Sequence, residues 1–204
     1  IFADIAKAFG GEESEEWVDG KGWYEWPLVQ IPVFMGITAI AMIVIFTLGG
    51  FPIVASALFT LVLLFTTFLL GAIAVRVMGE TGIEPVSGTS FIVLIMLMAI
   101  FLGFNEALGL SQQQAILLGL VGTTVFGSAI SMSGTVVADY KNSLYIGNRP
   151  YHISKGNIFG VVPGAVLGAG VAIFLSYLLA NGTIDLLAPQ ANAFASFTII
   201  LAEG

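Results

Sequence analysis

Two carboxylates flank a helix-breaking run at Glu80-Thr81-Gly82-Ile83-Glu84-Pro85-Val86-Ser87-Gly88. Residues 27–75 before it and 91–104 after it carry no charge. In a chain that crosses a membrane, acids beside interrupted helix mark a place where something polar is bound or moved. Glu80 and Glu84 are four apart, so a continuous helix would set them on one face. Two carboxylates held close in a low-dielectric setting repel, and one is driven toward protonation near neutral pH. Such a pair can carry a proton in symport. Arg76, four residues before Glu80, supplies the competing reading: an ordinary ion pair at the membrane edge.

Pro85, Ser87, Gly88 and Thr89 add hydroxyls and free backbone groups where a helix begins. A helix N-terminus with Ser and Thr donors suits an anionic group such as a substrate carboxylate. A plain N-cap with a proline turn is the alternative. Farther on, Ser128, Ser131, Ser133, Thr135 and Asp139 punctuate the end of a later span. Asp139 beside Lys141 reads as a local pair, or as a loop acid in the headgroup zone. Asn105 and Glu106 end a helix, and Gln112-Gln113-Gln114 reads as a solvated connection. His152 is the one histidine, and a lone histidine makes a poor metal site. No metal-ligand set, phosphate loop, dinucleotide fingerprint or Ser-His-Asp order appears, so neither a cofactor nor an enzyme is expected. An intramembrane acid hydrolase would need Glu84 and Asp139 to meet from different helices.

The elements that must position these residues follow from composition. Of 204 residues 57% are hydrophobic and only 9% charged, whereas soluble domains carry about 25% charge. A soluble fold would have to expose that apolar excess, so an all-α polytopic membrane protein is expected. The net charge of -7 belongs to one tail, because seven of the thirteen acids lie within residues 1–25. No basic stripe exists to neutralise phosphates, which excludes a nucleic-acid partner. The absence of cysteine excludes disulfides and thiolate metal sites. Twenty-five glycines suit close helix contact in lipid.

Residues 1–26 read as an acidic, amphipathic N-terminal segment, and Trp17, Trp23, Tyr24 and Trp26 resemble an interfacial aromatic belt. A transmembrane domain over 27–204 follows, with spans at about 28–48, 53–75, 86–104, 115–137 and 158–179 and a partial helix at 193–202. Gly49-Gly50-Phe51-Pro52 is the turn between the first two, since proline cannot continue a helix. The third span, about 15 uncharged residues from Ser90, is short for a crossing. It crosses only if the backbone around Glu84 lies at membrane depth; otherwise it is re-entrant, and its irregular backbone must line a cavity or be covered by protein. Gly160, Gly164 and Gly168 form a packing face on the last span. The polar stretch 139–156 holds half of all basic residues, which places it in the cytoplasm of a plasma or inner membrane.

Residues 82–90, Gly-Ile-Glu-Pro-Val-Ser-Gly-Thr-Ser, resemble the Asn-Pro-x-Ser-Gly-Met/Thr-type segment of the oligopeptide transporter family, which includes the yellow stripe-like metal-chelate carriers. Some forty residues later, Ser133-Gly134-Thr135 leads to Ala138-Asp139-Tyr140-Lys141 and Ile146-Gly147-Asn148-Arg149-Pro150, similar to the family's Ser-x-Asp-x-Lys-x-Gly…Gly-x-x-Pro pattern. The likeness covers about residues 76–179. Glu84 stands where the family more usually has Asn or Asp. The family also often has Gln shortly after the proline, where this chain reads Tyr151-His152-Ile153-Ser154-Lys155. The resemblance implies secondary active transport of small peptides or peptide-like metal chelates coupled to protons. It implies further that this is a segment of a longer transporter, and that helices beyond it complete the path. The expected partners are therefore a lipid bilayer, those remaining helices or a second subunit, a further copy in a homo-oligomer, the substrate and protons. A passive channel or a scaffold subunit of a larger membrane complex is the alternative.

Overall fold

The computed structural model describes residues 30–148, 150–185 and 188–203. The acidic segment 1–26 with its aromatic residues lies outside the described residues. Six helices follow in chain order: α1 (Gln30–Leu48), α2 (Ile53–Thr81), α3 (Val86–Gly103), α4 (Gln112–Tyr145), α5 (Pro150–Ala180) and α6 (Pro189–Glu203). Among the described residues five are long and apolar enough to cross a bilayer, α1 to α5. The protein is an all-α polytopic membrane protein. α1 and α3 carry no charged residue, and glycine or proline marks the cuts between successive helices.

The cuts obey backbone rules. α1 closes when Gly50 turns to φ 90°, and the Phe51 amide reaches back to the Phe46 carbonyl at 3.1 Å. Pro52 then starts α2, its missing N–H costing nothing at that position. α2 runs past the expected Val75 limit and ends at Gly82 (φ 73°), whose amide caps the Met78 carbonyl. Pro85 precedes α3 in the same way. α4 opens with a capping box: the Ser111 hydroxyl accepts from the Gln114 amide at 3.2 Å, and the Gln114 side chain accepts from the Ser111 amide at 3.0 Å. Gln114, read from sequence as part of a solvated connection, thus fixes a helix end.

The polar stretch 139–156 is also mostly helical. α4 continues to Tyr145 and α5 begins at Pro150. The two are tied where they leave the apolar zone, with the Tyr140 hydroxyl 2.5 Å from that of Ser154. Packing of one helix on the other overrides the polar composition there.

α4 is the hub. α2 and α3 both lie along it, and they touch each other only sparsely. Phe59, Leu97, Phe101, Leu118 and Phe126 are fully buried between these three helices. Glycines on α4 set the spacing. A Cβ at Gly119 would stand 2.5 Å from the Met98 sulfur, and one at Gly122 would stand 2.6 Å from Leu97 Cδ1 and 2.7 Å from a Phe59 ring carbon. A small-residue groove therefore lets two helices approach one backbone. α1 packs on α2, α5 on α4, and α6 on α3 through Phe91 and Phe194, whose rings stack at 4.3 Å. α5 is exposed over nearly its whole length. A Cβ at Gly160, Gly164 or Gly168 meets nothing within 4 Å. The expected packing face has no partner among the described residues.

Candidate functional site

The break at residues 82–85 does not fold back on its own helices. It is laid across α4. Ser90 and Val86, in the first turns of α3, face Gly127: a Cβ there would stand 3.1 Å from Ser90 Oγ and 3.8 Å from a Val86 methyl. Two residues before Val86, Glu84 reaches Gly134. A Cβ at Gly134 would fall on Glu84 Oε1, and would also stand 2.8 Å from the Met78 sulfur. The other carboxylate oxygen accepts from Ser131 Oγ at 3.4 Å. Glu84 thus lies half-buried in a notch made by a missing side chain, with Met78 of α2 on one side and a hydroxyl of α4 on the other.

Depth follows from helix rise. Gly134 lies three residues inside the Val137 end of the apolar stretch of α4, about 4.5 Å along the axis. Gly127 lies ten residues inside, about 15 Å. α3 therefore begins near the level of Ser131, about 9 Å inside that stretch, and its 18 residues run beside the remainder toward the start of α4. The free amides of a helix N-terminus are set against apolar helix. The descending backbone of residues 84–86 must be satisfied by protein or a wet path, since hydrocarbon offers no partners.

The sequence-derived residues fall into two groups. Glu84, Pro85, Ser87, Gly88 and Thr89 share the break and the turn after it. Thr89 donates its hydroxyl to the Pro85 carbonyl at 2.7 Å, which steadies the first turn of α3. Glu80 stands apart. Its carboxylate takes the Arg76 guanidinium at 3.2 Å, and both side chains are largely exposed. Because α2 ends at Thr81 and the chain then turns at Gly82, the four-residue spacing of Glu80 and Glu84 does not put them on one face. The ordinary ion pair is what forms.

On α4, Ser133 donates to the Ile130 carbonyl at 2.7 Å within its own helix. Ser131, two residues earlier, is the hydroxyl that meets Glu84. Asp139 is half-buried and five residues beyond Gly134, which turns it about 140° around the helix from the notch. Lys141 places its ammonium 5.7 Å from the centre of the Tyr145 ring. Of the residues that hold Glu84, Met78 is not singled out in the sequence, and Ser131 and Gly134 are named there only as small residues near the end of their span, not as its partners. One signal was available: Gly127, Ser131 and Gly134 follow the i, i+4, i+7 spacing of one helical face.

A second feature adjoins the notch. A cleft of about 530 Å³ lies between α3, α4 and α6, lined by Ser87, Ser90, Thr123, Thr124 and Ser128, with Phe194 as one wall. Its α4 residues end about one turn below Ser131.

Comparison with family models matches residues 25–204 to the model described as "OPT oligopeptide transporter protein". Comparison with curated proteins and with solved structures gives no match.

Proposed function

Because this chain belongs to the oligopeptide transporter family, a family of membrane carriers, we propose that it forms part of a proton-coupled symporter for small peptides or peptide-like metal chelates. Glu84 is the proton-carrying group in this reading. The turn Pro85-Val86-Ser87-Gly88-Thr89 is the substrate-facing start of a broken helix. Glu80 is assigned the ordinary role of pairing with Arg76.

One observation supports this above the rest: the only carboxylate at the break is seated against glycine on the hub helix. Ionised, Glu84 accepts from Ser131. A carboxylic acid is a weaker acceptor and carries a donor of its own, so the direction of that hydrogen bond can reverse. Gaining or losing one proton therefore changes how the 82–85 linker is held to α4. Gly82 and Pro85 bound that linker, so a change in its seat is passed directly to the first turn of α3. A proton taken up by Glu84 on one side of the membrane and released on the other would be coupled to the position of that turn.

The test is uptake of a small peptide by the intact transporter across a range of external pH. In Glu84→Gln, which keeps the shape and removes the titration, pH-driven accumulation is expected to disappear while protein still reaches the membrane. Wild-type pH dependence in that variant would remove Glu84 from the mechanism.

A further inference from the structure

Resting on that transport reading, we propose that the cleft between α3, α4 and α6 binds the uncharged amide groups of a peptide-like substrate rather than its charged ends. Among the described residues no charged side chain lines the cleft. Its polar groups are hydroxyls, and their protons are unevenly committed. Thr123 donates to the Gly119 carbonyl at 2.8 Å and Thr124 to the Leu120 carbonyl at 3.0 Å. With those protons spent within α4, the two oxygens offer lone pairs.

Ser90 is the opposite case. It is 5% exposed, it sits in the cleft wall against Gly127, and its hydroxyl has no hydrogen-bond partner among the described residues. A buried hydroxyl without a partner is costly, and a ligand acceptor would satisfy it.

Acceptors beside an uncommitted donor match an amide, which brings one N–H and one C=O. A carboxylate needs donors alone, and the threonine lone pairs repel it. An ammonium group would need a counter-charge, and the described lining holds none. The aromatic wall fits the apolar remainder of the ligand. Phe194 is itself held by Phe91, so α6 closes the cleft as a braced element. The position is also apt: Ser128 and Ser131 are three residues apart on α4, about 4.5 Å along the axis. An amide bound in the cleft lies roughly one turn from the hydroxyl that holds Glu84, so occupancy and protonation act on the same stretch of helix.

The experiment uses the intact transporter in liposomes, with trialanine, its C-terminal amide and an analogue N-methylated at the inner peptide bonds as probes. Thr124→Val keeps the shape of the side chain and removes the oxygen. Its KM for trialanine is expected to rise roughly tenfold, as for one lost hydrogen bond, with the pH profile retained. N-methylation should weaken competition against wild type by a similar factor and weaken it little further against Thr124→Val. Ser90→Ala provides a second, independent variant and should also raise KM. Unchanged KM in both variants, with proton-driven uptake intact, would overturn the cleft and leave the carrier reading standing. Competition that depends on the free carboxylate and ignores N-methylation would make the cleft an anion site and overturn the amide assignment. Failure of wild type to take up trialanine under a proton gradient would instead remove the peptide-carrier reading, and the amide assignment with it.

Discussion

The first two interhelical connectors are built from the same parts. Gly49-Gly50-Phe51-Pro52 joins α1 to α2, and Gly82-Ile83-Glu84-Pro85 joins α2 to α3. Each holds a glycine at positive φ, 90° at Gly50 and 73° at Gly82, and each ends on the proline that starts the next helix. Their third residues differ. Phe51 turns its ring to Phe46, 5.8 Å away, within its own hairpin. Glu84 reaches a residue 50 positions later in the chain. Accordingly α1 packs along α2, whereas α2 and α3 are held mainly by the helix between them. The first connector is complete in itself. The second depends on α4, and anything that alters the Glu84 seat alters the angle at which α3 enters the bundle.

This contrast can be broken most sharply at Gly134. Gly134→Leu fills the notch, and its side chain cannot coexist with the Glu84 carboxylate where it now lies. Coupled uptake should be lost, with destabilisation of about 1–3 kcal/mol from overpacking. Uptake at the wild-type rate in a well-expressed variant would show that Glu84 need not sit there.

A smaller effect separates the glycines. Gly50→Ala and Gly82→Ala impose the same backbone strain, on the order of 1–2 kcal/mol. Thermal unfolding in detergent should show both losses, yet only Gly82→Ala should shift the pH dependence of uptake. Equal transport behaviour in the two would erase the distinction between the connectors.

The smallest effect is expected at Arg76→Gln. Its partner Glu80 is exposed, and such pairs contribute about 0–1 kcal/mol. Transport rate should stay within about twofold, and a large loss would return Glu80 to the site.

How much of this could be read from sequence depended on range. The helices, both Gly-Pro connectors and the Arg76–Glu80 pair are local, fixed by spacings of four residues or fewer, and they are legible in the chain. So, in principle, was the Ser111–Gln114 box, whose spacing is diagnostic, although the glutamine run obscured it. The seat of Glu84 is not local. Ser131 lies 47 residues away, and Gly134 contributes by lacking a side chain. The richness of small residues on α4 is visible in sequence, but which glycine meets which neighbour is set by the rotation of three helices about one another. The glycines of α5 show the converse case. Their spacing suggests contact, yet among the described residues they face open space, because spacing states what a face can do and says nothing about whether a partner is supplied.

α4 is an uninterrupted rod of 34 residues, about 51 Å long. It exceeds the thickness of a bilayer core, is pinned at one end by its capping box, and projects with α5 at the other. Pivoting it 10° about Ser111 would sweep Gly134 sideways by roughly 6 Å. Such a rod is a lever. A force applied to the tip near Tyr145, by a neighbouring domain or by the membrane itself, would move the carboxylate seat and, by a smaller distance, the hydroxyl cleft together.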